Sequence, residues 1–242
     1  MTTRKYSYGQ HFLRNPDFVA ELIGHSTIHK NDTVYDLGAG SGIISAVLAP
    51  RCKQVIAVEN EKDALQKLYV NMAGYRNVTI LPASIVELPA PQGEYKIFAN
   101  IPFNLSSQVV EKFCTMENPP KAMYLIVQKQ FARKLVPGND HFTSAMSAQI
   151  SPWFDVRIRK PLRRTDFTPP PAVDTVLLEL KLRENPLLPR NQAERYRQFI
   201  VQCFSRQVYF AKVPRENAGI SPELRPSQLT TRQWLDLYAA TS

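Results

Sequence analysis

Thr33-Val-Tyr-Asp36-Leu-Gly38-Ala-Gly40-Ser-Gly42 joins a short β-branched run to three of the chain's nine glycines, and Ile43–Leu48 continues at helical spacing. A strand, a tight glycine turn and a helix in that order are the opening of a ligand-binding βαβ unit. Glu59 ends the next apolar run, Gln54–Glu59, about 20 residues on, where a carboxylate can accept both ribose hydroxyls of an adenosine.

Outward from the turn the same rhythm recurs. Asn15-Pro16 reads as N-cap and N1 of a helix whose buried face is Phe18, Val19, Leu22 and Ile23. Glu61–Ala73 reads as a helix closed by Gly74 at C′, and Val78–Leu81 and Tyr95–Ala99 as strands. Ser106–Cys114 is an expected helix, Ala122–Val127 a fifth strand and Lys129–Leu135 another helix. Thr143–Ile150, Phe154–Ile158 and Asp174–Leu182 look strand-like with no helices between them, implying a closing antiparallel hairpin. After Asn185-Pro186 the chain turns polar, Arg-rich and helical, over Gln192–Phe204 and Arg232–Ala240. The expected fold is α/β: a Rossmann-like, mostly parallel sheet over residues 1–184 and a small helical domain over 185–242.

The formal charge of +9, from 30 Lys+Arg against 21 Asp+Glu, favours a polyanionic partner. No apolar run approaches the ~18 residues of a bilayer span. The first eight residues carry no apolar stretch behind their charges, so a cytoplasmic protein without a signal peptide is expected. Cys52, Cys114 and Cys203 are odd in number and far apart, and the four histidines have no ligand spacing. Neither a disulfide frame nor a metal site is expected.

The turn is G-x-G-x-G, with Ile43 where a dinucleotide fingerprint has its third glycine. A β-branched residue there crowds the close pyrophosphate approach of a dinucleotide, so the turn favours S-adenosylmethionine, which has no phosphate. The chemistry is carried by Asn100-Ile101-Pro102-Phe103, directly after the fourth strand and therefore beside the ligand crevice. An aromatic exocyclic amine is a poor nucleophile because its lone pair is delocalised into the ring. Acceptors on both of its N–H groups favour a pyramidal nitrogen and release that pair. Asn100 Oδ1 and the Ile101 carbonyl, held extended by Pro102, are the expected acceptors, and Phe103 offers a stacking face for a flipped base. Orientation and electrostatics do the work; no general base is needed.

Together with Gly9-Gln10-His11-Phe12-Leu13, Ile97–Asn104 and Phe167-Thr-Pro-Pro-Pro-Ala-Val-Asp174, these segments resemble the rRNA adenine N6-methyltransferases over nearly the whole chain. One branch of that family dimethylates neighbouring adenines in small-subunit rRNA. The other, the Erm branch, methylates one adenine of large-subunit (23S) rRNA at the macrolide site and confers resistance to macrolides, lincosamides and type B streptogramins. The short length and the run Ser151–Phe167 are similar to Erm proteins of actinobacterial type. The resemblance implies that His11 and Leu13 line the cofactor pocket. Gly38 would back the methionine end, Gly40 belongs to the turn, Glu59 would hold the ribose, and Asn100 would sit between cofactor and adenine. Two residues depart from the family pattern. Ser84 stands where an aspartate usually bonds the cofactor's adenine amine, and Phe103 where many members have tyrosine.

Arg157-Ile-Arg159-Lys160-Pro-Leu-Arg163-Arg164 has five basic residues in eight positions. With RNA implied, Arg159, Lys160, Arg163 and Arg164 are expected phosphate contacts, while Phe199, Phe204, Tyr209 and Phe210 are expected in the core of the last domain. The expected partner is 23S rRNA, free or in assembly precursors, bound by a monomer. Rival readings are a 16S dimethyltransferase, a methyltransferase for DNA adenine or protein glutamine, a dehydrogenase, and a non-catalytic nucleic-acid-binding protein on the same fold.

Overall fold

The computed structural model describes residues 11–13, 15–137 and 142–241; Gly9 and Gln10 of the N-terminal motif lie outside them. After a two-residue strand β1 (Phe12–Leu13), Asn15 caps α1 (Pro16–Gly24) by accepting from the Asp17 amide at 2.8 Å. Val19, Leu22 and Ile23 form its buried face, and Phe18 is half-buried. There follow β2 (Thr33–Leu37), α2 (Ile43–Leu48), β3 (Gln54–Glu59), α3 (Lys62–Met72), β4 (Val78–Pro82), β5 (Lys96–Ala99), α4 (Ser106–Thr115) and β6 (Ala122–Gln128). Then come α5 (Lys129–Leu135), α6 (Ala145–Ile150), β7 (Phe154–Leu162), β8 (Phe167–Thr168) and β9 (Thr175–Leu182). The chain ends in α7 (Ala193–Ser205), α8 (Gln207–Lys212) and α9 (Thr231–Thr241).

Seven strands form one sheet in the order β4-β3-β2-β5-β6-β9-β7, with β1 and β8 paired separately. The five strands from β4 to β6 are parallel, and β9 runs antiparallel to β6, so the expected Rossmann-like, mixed architecture holds. β5 is buried throughout and β6 everywhere but its last residue, which is why Ile97–Ala99 and Ala122–Val127 read as apolar runs without alternation. Chain order reverses between β2 and β5, and a crevice opens beyond the carboxyl ends of strands at such a switch point.

Two expectations are corrected. Thr143–Ile150 is not a strand: Ser144 caps α6, its Oγ accepting from the Ser147 amide at 3.1 Å, and Ala-Met-Ser-Ala-Gln-Ile prefers a helix once a cap is supplied. Gly74 is not a left-handed C′ residue; α3 ends at Met72 with Ala73 in the right-handed region. At its other end Glu61 is the N-cap, accepting from Asp63 and Ala64.

The chain divides into two compact units, one running to Gln130 and including Arg157–Lys181, the other comprising Phe131–Val156 and everything from Leu182. The second unit therefore gathers α5 and α6 as well as the residues beyond 184. Tyr196 on α7 donates to the Ala148 carbonyl at 3.2 Å, and Phe199, Phe204 and Phe210 surround the buried Trp234 ring. Phe199 and Phe210 are buried, while Phe204 and Tyr209 are half-buried. Among the described residues no helix is long and apolar enough to cross a membrane.

Candidate active site

Asp36, next to last in β2, is wholly buried. Its Oδ2 accepts from Ser45 Oγ at 2.6 Å, and Oδ1 has no hydrogen-bond partner among the described residues. Burial raises this carboxyl to about 7; the Ser45 bonds oppose the rise and the nearby Glu59 charge adds to it. The glycine turn starts two residues later, with Gly38 at φ 70° and Gly42 at φ 93°. A Cβ on Gly42 would lie 2.8 Å from Leu68 Cδ1 and 2.9 Å from Met72 Cε, so glycine lets α3 pack onto the turn. A Cβ on Gly38 would instead sit in ordinary contact with Ile85 and Pro102, at 3.5 and 3.8 Å on the wall of the pocket, so there the left-handed φ is what favours glycine.

Glu59 is buried at the end of β3. Its Oε2 accepts from the Gly40 amide at 2.9 Å, and its Oε1 from the Asn60 and Glu61 amides, both at 2.8 Å. A carboxylate offers about four acceptor positions. Backbone groups take three, leaving one lone-pair direction on Oε2 for a ribose hydroxyl where the sequence reading allowed two. Its charge thus organises the turn as well as facing the pocket.

Asn100 follows β5 directly, and its Nδ2 donates to the His11 carbonyl at 2.6 Å. A carbonyl only accepts, so Nδ2 must be the atom facing it; Oδ1 has no partner among the described residues. Ile101 is buried, Pro102 leads into a 3₁₀ turn at Phe103–Leu105, and the Phe103 ring centroid lies 5.4 Å from that of His11. His11 is held in turn by Nδ1, which donates to the Pro169 carbonyl at 2.8 Å, and by pairing of Phe12 with Thr168 and Leu13 with Phe167.

One pocket is lined by all ten residues singled out for cofactor and catalysis: His11, Leu13, Gly38, Gly40, Glu59, Ser84, Asn100, Ile101, Pro102 and Phe103. It also takes in residues the sequence did not single out, notably Phe12, Ile85 and Glu61. Phe12 covers the turn, with its Cε1 3.6 Å from where a Gly40 Cβ would be. No periodicity marks a two-residue strand, and only its place beside His11 and Leu13 hinted at Phe12. The donor set fits S-adenosylmethionine: a carboxylate for ribose, glycines permitting close approach, and apolar walls for the adenine ring. Among the described residues no His, Cys, Asp and Glu group could hold a metal.

The four expected RNA contacts lie on β7 and the turn after it, apart from the pocket lining. Arg159 Nε donates to the His25 carbonyl at 3.0 Å, and its guanidinium lies 3.8 Å from the buried Glu179, which also pairs with Arg157 and accepts from Tyr124. Lys160 pairs with Glu21. Arg163 and Arg164 pair with Asp166 and Asp174 at 3.1 and 3.2 Å, but their side chains stay 80% and 55% exposed. Structural work thus occupies Arg159 and Lys160, and the two turn arginines are the accessible cations.

The family model described as ribosomal RNA adenine dimethylase matches residues 1–209. A curated relative from Staphylococcus aureus, called rRNA adenine N-6-methyltransferase, is 30% identical over 206 residues, covering 84% of this chain and 82% of its own. One from Latilactobacillus sakei, called ribosomal RNA small subunit methyltransferase A, is 26% identical and covers 96% of this chain and 88% of its own. Among solved structures, the 23S rRNA methyltransferase ErmE superposes with a TM-score of 0.81 at 24% identity, over 95% of this chain and 98% of that one, which shows a common fold. The chain belongs to the ribosomal RNA adenine dimethylase family of S-adenosylmethionine-dependent methyltransferases.

Proposed function

We propose that the protein methylates N6 of a single adenine in 23S rRNA and thereby confers resistance to macrolides, lincosamides and type B streptogramins. The observation that carries the chemistry is Asn100, whose amide is fixed by His11 with Oδ1 unpartnered at the pocket that Phe103 also lines. Bound S-adenosylmethionine supplies an electrophilic methyl carbon on a sulfonium. Asn100 Oδ1 and the Ile101 carbonyl accept from the adenine amine and direct its lone pair, and Phe103 stacks on the base. Glu59 and the turn hold the cofactor; Ser84 offers its adenine ring one neutral hydrogen bond. Arg163 and Arg164 contact phosphates, assisted by Arg159 and Lys160, and residues 185–242 add basic surface for RNA. The enzyme acts as a monomer in the cytoplasm, where its substrate lies.

Support for the 23S branch is the Erm-like run Ser151–Phe167, and the Staphylococcus aureus relative at 30% identity supports N6-methylation of an rRNA adenine. The second reading, a small-subunit dimethyltransferase, is supported by the Latilactobacillus sakei relative. Methylation at the macrolide site removes a hydrogen bond and adds bulk, and ~3 kcal/mol is already more than a hundredfold in drug affinity. Expression in a susceptible bacterium should raise resistance to all three drug classes, with the methylated adenine mapped by primer extension and mass spectrometry. Resistance given equally by Asn100→Ala would sever it from methylation. Restored methylation in a strain lacking the small-subunit enzyme, without resistance, would establish the second reading.

A further inference from the structure

The side-chain amide of Asn100 has two nearly isosteric faces, one a donor and one an acceptor. Only one orientation serves an amine acceptor: Oδ1 toward the substrate. Turned by 180°, the group would present N–H to N–H. The structure contains a device that selects between them. Asn100 Nδ2 donates to the His11 carbonyl at 2.6 Å, and the reversed amide would bring two oxygens together there. That carbonyl lies just before a strand of only two residues, so its position depends on what else holds the segment. His11 Nδ1 bonds the Pro169 carbonyl at 2.8 Å, which also fixes the neutral ring as its Nδ1–H tautomer. The ring then lies against Phe103.

We propose that His11 is a positioning residue for methyl transfer: its backbone carbonyl sets the orientation of the Asn100 amide, and its imidazole, tied to Pro169, keeps that carbonyl in place. The N-terminal segment and the 167–174 loop thereby act on the acceptor amine through Asn100. The proposal rests on the reading of Asn100 as the acceptor-amine ligand.

Two substitutions test it on the full chain with ribosomal RNA and labelled S-adenosylmethionine. In Asn100→Asp an ionised carboxylate keeps an acceptor for the substrate but sets a second oxygen against the His11 carbonyl; protonation restores a donor there. Its single-turnover rate relative to wild type should be down at least 100-fold at pH 8.5 and recover tenfold or more by pH 6. A ratio that stays flat across this range overturns the proposal. His11→Ala should lower the rate at saturating RNA and cofactor about tenfold, and His11→Asn, whose amide can donate to Pro169, should restore most of it. An unimpaired His11→Ala, or a His11→Asn no better than it, also overturns the proposal. A third measurement needs no turnover. In nitrogen-15 spectra of the free protein the Asn100 side-chain hydrogens should be resolved and slow to exchange, and should move to solvent-exposed values in His11→Ala. Their indifference to that change refutes the contact. Wild type that methylates no ribosomal RNA sinks the functional reading instead, and these spectra then decide the geometry alone.

Discussion

The amide of Gly40 donates to Oε2 of Glu59 at 2.9 Å, so the carboxylate at the end of β3 grips the turn that follows β2. Glu59→Ala therefore has two effects. Cofactor binding should weaken by roughly 1.5–3 kcal/mol, the range for a hydrogen bond to a charged group. The free protein should also melt at lower temperature, because three backbone amides lose their acceptor. Calorimetry and thermal denaturation of one preparation separate the two effects, and an unchanged melting temperature would contradict the structural role.

Asn100→Ala should lower kcat far more than it raises KM, by roughly the 10²–10³-fold typical of losing one preorganised polar group. Binding of S-adenosylmethionine should be largely spared. Single-turnover rates measured beside calorimetric titrations test this, and substantial residual transfer would remove Asn100 from the mechanism.

Asp36→Asn should stabilise the protein in alkaline solution. With its folded carboxyl raised to about 7, Asp36 retains a proton that the unfolded chain has released above ~4. The folded state binds more protons in that window, so stability falls as pH rises from about 4 to about 7 and stays lower above it. Each tenfold in proton affinity is worth ~1.4 kcal/mol. The asparagine variant should match wild type near pH 5 and melt several degrees higher at pH 8. A constant gap between these pH values would show that Asp36 does not titrate in this way.

Gly42→Ala should destabilise the fold. The left-handed backbone costs ~1–2 kcal/mol for an alanine, and the side-chain ends of Leu68 and Met72 must also shift to make room for its Cβ. Gly74→Ala is the control, since nothing lies within 4 Å of its Cβ and its φ is not left-handed. Denaturant melts should separate the pair clearly; equal stabilities would mean that α3 gives way at no cost.

Ser84→Asp should tighten cofactor binding if an acidic acceptor at this wall of the pocket meets the adenine amine. Titration calorimetry reads the change directly. Equal or weaker affinity would mean the ring is held by other groups.

The parallel core was legible because β2, β3, β5 and β6 are short, largely apolar runs punctuated by glycine, proline and caps. The places of Asn100 and Glu59 were legible because a strand end is defined by sequence neighbours alone. What escaped depends on distant partners. β1 exists because Phe12 and Leu13 meet Thr168 and Phe167, more than 150 residues away, and a two-residue strand has no period to detect. The 143–150 segment was misread because apolar spacing that short does not distinguish helix from strand, and the Ser144 cap was overlooked. Nor could sequence show that Glu59 spends three of its acceptor positions on backbone, or that Arg159 is tied to His25.

β7 is the last strand of the sheet, and a terminal strand is a template on which another chain can pair. Its Arg157, Arg159, Lys160 and Pro161 are the residue types that discourage such pairing, the cations by repulsion and the proline by lacking an N–H. The basic stretch thus guards against self-association whether or not RNA is present. Removing its charges to abolish RNA binding would expose that edge, and a loss of activity in such variants could then come from aggregation in place of lost phosphate contacts.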